Sequence, residues 1–265
     1  MLLAGKVAVI FGASGAIGSA VAQAMAREGA QVCLIARRQD RLERVADSIR
    51  TAGGRADIGI IDVLDEQAML QQTALLARRI GGIDIVVNAT GFAHDQGKTL
   101  AELTLTEFMQ GITPFLSAYF NIAKAVAPHM GGKRAGALIT VVAPAGPMAV
   151  PGHSGHIVGC AGIEAFSMAL ASELAPDNIR VVCVRSHAIV GAVQAGSYTA
   201  EVFAPKAQAM GITVEEWVDG AAHSTLLKRL PTLAQVADVM TFLASDSASA
   251  MTATVVNMTA GATTG

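Results

Sequence analysis

Val7-Ala8-Val9-Ile10-Phe11-Gly12-Ala13-Ser14-Gly15-Ala16-Ile17-Gly18 is the stretch on which the fold turns. Its first five residues are wholly apolar and bounded by turn formers, which predicts a strand buried on both faces of a parallel sheet. From Ala16 to Arg27 the apolar residues recur at helical spacing. Between strand and helix stand only small residues. Gly12, Ser14, Gly15, Ala16, Ile17 and Gly18 let the backbone come close to a ligand, and bare N–H groups at a helix start stabilise a pyrophosphate. A lone glycine-rich string also reads as a tight turn packing helix on strand, so the strand–turn–helix context decides for phosphate binding.

The same alternation repeats outward. Strands are expected at Val32 to Ala36, Asp57 to Ile61, Ile83 to Val87, Ala137 to Val142, Arg180 to Val184 and Thr254 to Met258. Helices are expected at Arg41 to Arg50, Glu66 to Arg79, Leu105 to Met130 and His156 to Ala175. Parallel strands need crossover connections, and right-handed crossovers cover both sheet faces. The chain is therefore expected to be an α/β protein with a Rossmann-like doubly wound parallel sheet in three layers, α/β/α, as a single domain of 265 residues. The stretch from His187 to Leu230 breaks the rhythm and includes the one tryptophan, Trp217, which suggests a lid over a ligand site.

With 52% hydrophobic and 15% charged residues, the composition fits a dense interior. A formal charge of −2 and the lack of basic runs argue against nucleic acid and anionic membrane as partners. No long apolar leader follows Met1, and no later stretch reaches spanning length without Gly, Pro or charge. Cys33, Cys160 and Cys183 cannot form a disulfide framework. These features predict a cytoplasmic protein whose partners are a small-molecule substrate and further copies of itself.

The second strand ends in Arg37-Arg38, about twenty residues past the glycine turn, where a free ribose 2′-hydroxyl would usually meet a carboxylate. Guanidinium groups there favour a 2′-phosphate, hence NADP, with NAD as the alternative. Asp62, closing the third strand, suits either the adenine amine or a helix N-cap.

Asp84-Ile85-Val86-Val87-Asn88-Ala89-Thr90-Gly91, Asn178-Ile179-Arg180-Val181, Arg229-Leu230-Pro231-Thr232 and Phe242-Leu243-Ala244-Ser245-Asp246 give the chain a further likeness. Together with the glycine turn they resemble the short-chain dehydrogenase/reductase family over nearly the whole length. The resemblance implies an NADP- or NAD-binding oxidoreductase, with Val63, Asn88, Ala89 and Thr90 joining the cofactor set. It also implies a homotetramer or homodimer, with the helices Leu105 to Met130 and His156 to Ala175 packing between subunits. The family's proton-donating Tyr, its Lys, its Ser and its Asn have no counterpart here. Their positions hold His156, Cys160, Ala143 (after Val142) and Phe115, and the family's Pro-Gly turn after strand six is Ser186-His187.

An imidazole serves as general acid or base without an activating Lys. His156, with His153 one turn earlier and Ser154 nearby, is the expected catalytic group. The expected reaction is hydride transfer to a small carbonyl, conjugated enone or imine, the last two needing little activation. Two other classes fit the same residues: nucleotide binding without redox turnover, and an isomerase or dehydratase using His156 as base. His153, His156 and Cys160, with Cys183 or His187, have zinc-compatible spacing, although packed cysteine and pocket histidines are the simpler reading. Glu102, Glu107 and Asp65-Glu66 read as helix-start charges. Met109, Met168 and Met240 read as core, and Arg185 as a cation for an acidic substrate or for a neighbouring carboxylate.

Overall fold

The computed structural model describes residues 1–132 and 134–264, without the side chains of 205, 206 and 209. Seven parallel strands form one sheet: β1 (Val7–Phe11), β2 (Gln31–Ala36), β3 (Arg55–Ile60), β4 (Ile85–Asn88), β5 (Gly136–Val142), β6 (Ile179–Ser186) and β7 (Thr254–Met258). Their spatial order is β3-β2-β1-β4-β5-β6-β7, so the direction of winding reverses between β1 and β4. Ligands of such sheets bind beyond the carboxyl ends of the strands at that reversal. Gly12, Arg37, Asp62, Asn88, Ala143 and His187 lie at or just past six of those ends.

Helices α1 (Ala16–Arg27), α2 (Gln39–Thr51), α3 (Glu66–Ile80), α4 (Leu105–Gln110), α5 (Thr113–Val126), α6 (Ser154–Leu174), α7 (Thr199–Ala209), α8 (Val214–Gly220) and α9 (Leu233–Ala244) complete the fold. On one sheet face Val21 and Met25 of α1, Leu42 of α2 and Met240 of α9 pack over Ile10 and Leu34. On the other face Met69 of α3, Ile122 of α5 and Ile163 of α6 pack over Phe11 and Val86. Each fully buried side chain of this size contributes about 1.5–3 kcal/mol relative to exposure. That is why the wholly apolar β1 occupies the sheet interior, between β2 and β4.

The expected helix from Leu105 to Met130 is broken in two. A Cβ at Gly111 would lie 2.5 Å from Gly155 C and His156 N, so the backbones of α4 and α6 touch where the break falls. Pro114 opens α5, where its missing N–H leaves nothing unpaired. The fourth strand begins at Ile85, with Ile83 only bridging Met130. Met240 is buried, but Met109 is 40% and Met168 51% exposed, so these two are surface residues and not core. α6 is long and apolar enough in composition to cross a membrane. Its Glu164, however, is buried in an ion pair with Arg185 of β6, which fastens the helix to the sheet.

Candidate functional site

The turn after β1 is shaped by two glycines that admit no side chain. Gly12 has φ +77°, and a Cβ on it would lie 2.4 Å from the Ala89 carbonyl oxygen; one on Gly18 would lie 2.4 Å from the Gly12 oxygen. The turn is thereby pressed between α1 and the end of β4, and Gly12 N–H and Ala13 N–H both donate to Ile35 O. Gly15 is the N-cap of α1, has no side-chain cap bond, and is followed by no acidic residue in the first turn. The positive end of α1 is left to an anion from outside, and the cradle fits a dinucleotide pyrophosphate. Ser14, Ala16 and Ile17 complete this turn, with Ile17 reaching the cavity described below.

At the far end of the switch region, Arg37 and Arg38 are exposed, and Arg37 stands 4.0 Å from Asp62. Asp62 accepts Leu64 N–H in a local turn, while the N-cap of α3 is Asp65, which accepts from Ala68 N–H. The cap reading of Asp62 is thus corrected: the cap of α3 falls three residues later, at Asp65. Val63 is buried, and its carbonyl accepts from Asn121 Nδ2 at 2.9 Å. Asn88 is a bolt, donating to Thr140 Oγ1 and accepting from Thr90 N–H and Thr90 Oγ1. Ala89 and Thr90, held by it, line the cavity.

This cavity, about 280 Å³, lies under the irregular segment and the α7–α8 pair. Both candidate histidines line it, together with Phe115, Ala143, Cys160 and His187. Tyr198, Phe203 and Trp217 enter from above; Phe203 and Trp217 pack with ring centroids 4.3 Å apart. His156 is buried and stacks on His94 at 3.7 Å and 10°. Burial, then His94 and His153, lower its pKa to about 3, so the ring is neutral at physiological pH. Its Nε2 lies 3.6 Å from Cys160 Sγ. Burial, followed by the Glu164 charge, pushes the Cys160 thiol up to about 12, so it is no nucleophile. Burial also lowers the pKa of His94 and of His187, and the His187 ring accepts from Ala188 N–H.

The loop following β4 supplies groups the sequence pattern did not single out. Asp95 accepts from Gly155 N–H at 2.9 Å and His156 N–H at 2.8 Å, and so caps the first turn of α6. Gln96 bridges His94 and His153. Tyr198 lies against Gly91, where an added Cβ would meet its ring at 2.1 Å. These residues sit in segments with no periodicity, and only their tertiary partners reveal them.

Other candidates are accounted for. Arg185 pairs with Glu164 at 2.8 Å and does not line the cavity. Glu107 closes a capping box with Thr104, Glu102 accepts from Thr99, and Glu66 pairs with Lys124. Among the described residues no three His, Cys, Asp or Glu side chains are grouped to hold a metal ion. His153 hydrogen-bonds to Gln96 and Pro151.

The family model for short chain dehydrogenases matches residues 6–201. The chain is 29% identical over 261 residues to 2,3-dihydro-2,3-dihydroxybenzoate dehydrogenase of Bacillus subtilis, covering 98% of this chain and 97% of that protein. It is 28% identical over 266 residues to a 3-oxoacyl-acyl-carrier-protein reductase of Thermotoga maritima, covering 98% and 99%. Among solved structures, L-sorbose reductase from Gluconobacter frateurii, complexed with NADPH and L-sorbose, superposes with a TM-score of 0.86 at 26% identity, covering 98% of both chains.

Proposed function

The chain belongs to the short-chain dehydrogenase family, and from that premise we propose an atypical NADP(H)-dependent oxidoreductase that reduces a small carbonyl, conjugated enone or imine beside His156. One observation carries the reading: Ile17, Ala89 and Thr90 of the nucleotide set line the same cavity as His156 and His153. The glycine cradle supports dinucleotide binding. Arg37 and Arg38 support the 2′-phosphorylated form over NAD, as does the NADPH named for the sorbose reductase.

A bound reduced nicotinamide supplies hydride; everything else falls to the residues present. Gly12 to Gly18 and the start of α1 hold the pyrophosphate. Phe115, Phe203 and Trp217 exclude water from an apolar chamber, which strengthens any hydrogen bond made inside it. His156, held neutral, acts as a hydrogen-bond donor toward the substrate's electron-rich atom, as neutral imidazoles do in other enzymes. Ala143 has no hydroxyl to share that task. The free buried cysteines support a reducing, cytoplasmic setting, and the family resemblance supports a homotetramer or homodimer.

The test is NADPH oxidation against ketones, enones and cyclic imines, with His156→Ala in parallel. We expect turnover with at least one class and a loss of about a hundredfold in the variant. Unchanged turnover in the variant removes His156 from the chemistry. Tight NADPH binding with no product from any class favours binding without redox turnover. Product formed without NADPH consumption favours a non-redox enzyme.

A further inference from the structure

His94, Gln96 and His153 all line the cavity, and their hydrogen bonds fix a proton count. His94 Nδ1 lies 3.2 Å from the Phe92 carbonyl oxygen, and His153 Nδ1 lies 2.8 Å from that of Pro151. A carbonyl oxygen only accepts, so both Nδ1 atoms bear hydrogen. Between the rings, Gln96 places its Nε2 2.9 Å from His94 Nε2 and its Oε1 2.8 Å from His153 Nε2. The carboxamide has one donating and one accepting side. Its amino group suits an unprotonated Nε2, and its oxygen requires a protonated one. Turning the amide over exchanges the two rings without changing the total. With both Nδ1 atoms committed, every bond is made only when one ring holds two hydrogens.

We infer that His94, Gln96 and His153 form a store for one proton, that Gln96 positions it, and that the cavity takes an uncharged carbonyl compound whose oxygen receives it. The substrate half of this rests on the hydride-transfer reading; the store does not.

The surroundings fit a single positive charge. The Gln96 oxygen faces His153 Nε2 and the amino group faces His94 Nε2, so this geometry places the second ring hydrogen on the partly exposed His153. Asp95, between His94 and Gln96 in sequence, places a buried carboxylate at the same helix start. The remaining titratable groups facing the array are His156 stacked on His94, then Cys160, His187 and Tyr198 around the cavity. In the adjoining cleft stand Arg37, Glu201 and the paired Lys98 and Glu107. Among the described residues the cavity lining includes no Asp, Glu, Lys or Arg, so the stored proton is its one full charge. A cationic iminium would be repelled there; a neutral ketone or enone is not.

In the step itself the carbonyl carbon gains hydride from a reduced nicotinamide dinucleotide. The C=O π pair moves to oxygen and forms an O–H bond with the proton of His153. Both imidazoles are then neutral until water returns the proton.

The experiment is histidine ¹⁵N NMR on the full chain without nucleotide at pH 7, followed by turnover assays. One ring of His94 and His153 should bear hydrogen on both nitrogens. Gln96→Leu should abolish that signature, and Gln96→Glu, which offers an acceptor to each ring, should give two doubly protonated rings. Neutral rings throughout the wild-type protein, or a Gln96→Leu spectrum unchanged from it, overturn the store. With NADPH, uncharged ketones or enones should react in preference to matched N-alkyl iminium ions. Gln96→Leu should lower kcat about a hundredfold with the NADPH Kd unchanged. Preference for the iminium overturns the substrate class. A protonated array with no acceptor reduced supports the store and overturns the hydride reading alone.

Discussion

A guanidinium on an exposed strand end gains little from a neighbouring carboxylate, and Arg37 shows this: its contact with Asp62 is 4.0 Å, with the guanidinium largely in water and the carboxylate half-buried. A 2′-phosphate offers the same cation a doubly charged acceptor. Arg37→Ala combined with Arg38→Ala should therefore weaken NADPH binding about tenfold or more, with NADH binding unchanged. Fluorescence titration of both coenzymes checks this, and equal losses for the two would refute the assignment. His156 makes a second residue-scale prediction. In the unfolded chain its ring takes up a proton near 6.5, in the cavity only near 3, because burial disfavours the cation. Between those values the unfolded state binds more protons, so stability falls as pH falls through the window. At pH 4.5 the loss from this ring is about 2–3 kcal/mol relative to pH 7. Urea denaturation at the two pH values should show His156→Gln losing less stability on acidification than the wild-type protein.

At the scale of elements, the turn between β1 and α1 is the least forgiving piece of backbone. Gly12→Ala meets a left-handed φ, which costs about 1–2 kcal/mol, and the new Cβ would sit 2.4 Å from Ala89 O, so the turn must open. Loss of NADPH binding in isothermal calorimetry is the expected result, from protein that keeps its far-ultraviolet dichroism. α3 offers the opposite case. The Thr73 hydroxyl is fully buried and unpartnered, so Thr73→Val should raise stability by about 1 kcal/mol, read as a higher urea midpoint. β1, the glycine turn and α1 were legible in the sequence because an apolar run, a turn and a helical period follow one another without ambiguity. The break in the Leu105 to Met130 helix was not. Gly111 ends α4 because it lies against Gly155, a contact more than forty residues away in the chain that leaves no local periodic trace. The site divides the same way. Gly12 to Gly18, Ala89, Thr90, His153 and His156 follow regular elements and could be read. His94, Asp95 and Gln96 could not, since the bonds of Asp95 and Gln96 to His153, Gly155 and His156 exist only once α6 is docked.

For the whole molecule, two packed faces hold the sheet rigid, and we propose that the irregular stretch serves as a cover. The segment running from His187 through α7 and α8, expected as a lid, contributes Tyr198, Phe203 and Trp217 to the cavity lining. Ile189 and Ala192 pack into the core beside α9, Val190 N–H bonds to Pro231 O, and Tyr198 lies against Gly91. Gly191 and Gly196, both at positive φ, lie between Ile189 and α7. Such a segment of loops and short helices, outside the ladder of the sheet, is expected to open at lower free energy than the sheet beneath it. Ligand in the cavity adds contacts only to the closed form and must shift the balance toward it. Trp217, the one tryptophan, is the built-in reporter. Its fluorescence should change saturably with NADPH, and further with a bound carbonyl compound. Proteolysis between 187 and 224 should slow about fivefold or more at saturation, on the linkage of opening to ligand occupancy. Cleavage of this segment at equal rates with and without ligand, alongside an unchanged Trp217 spectrum, would mean that the cover does not sense what lies below it.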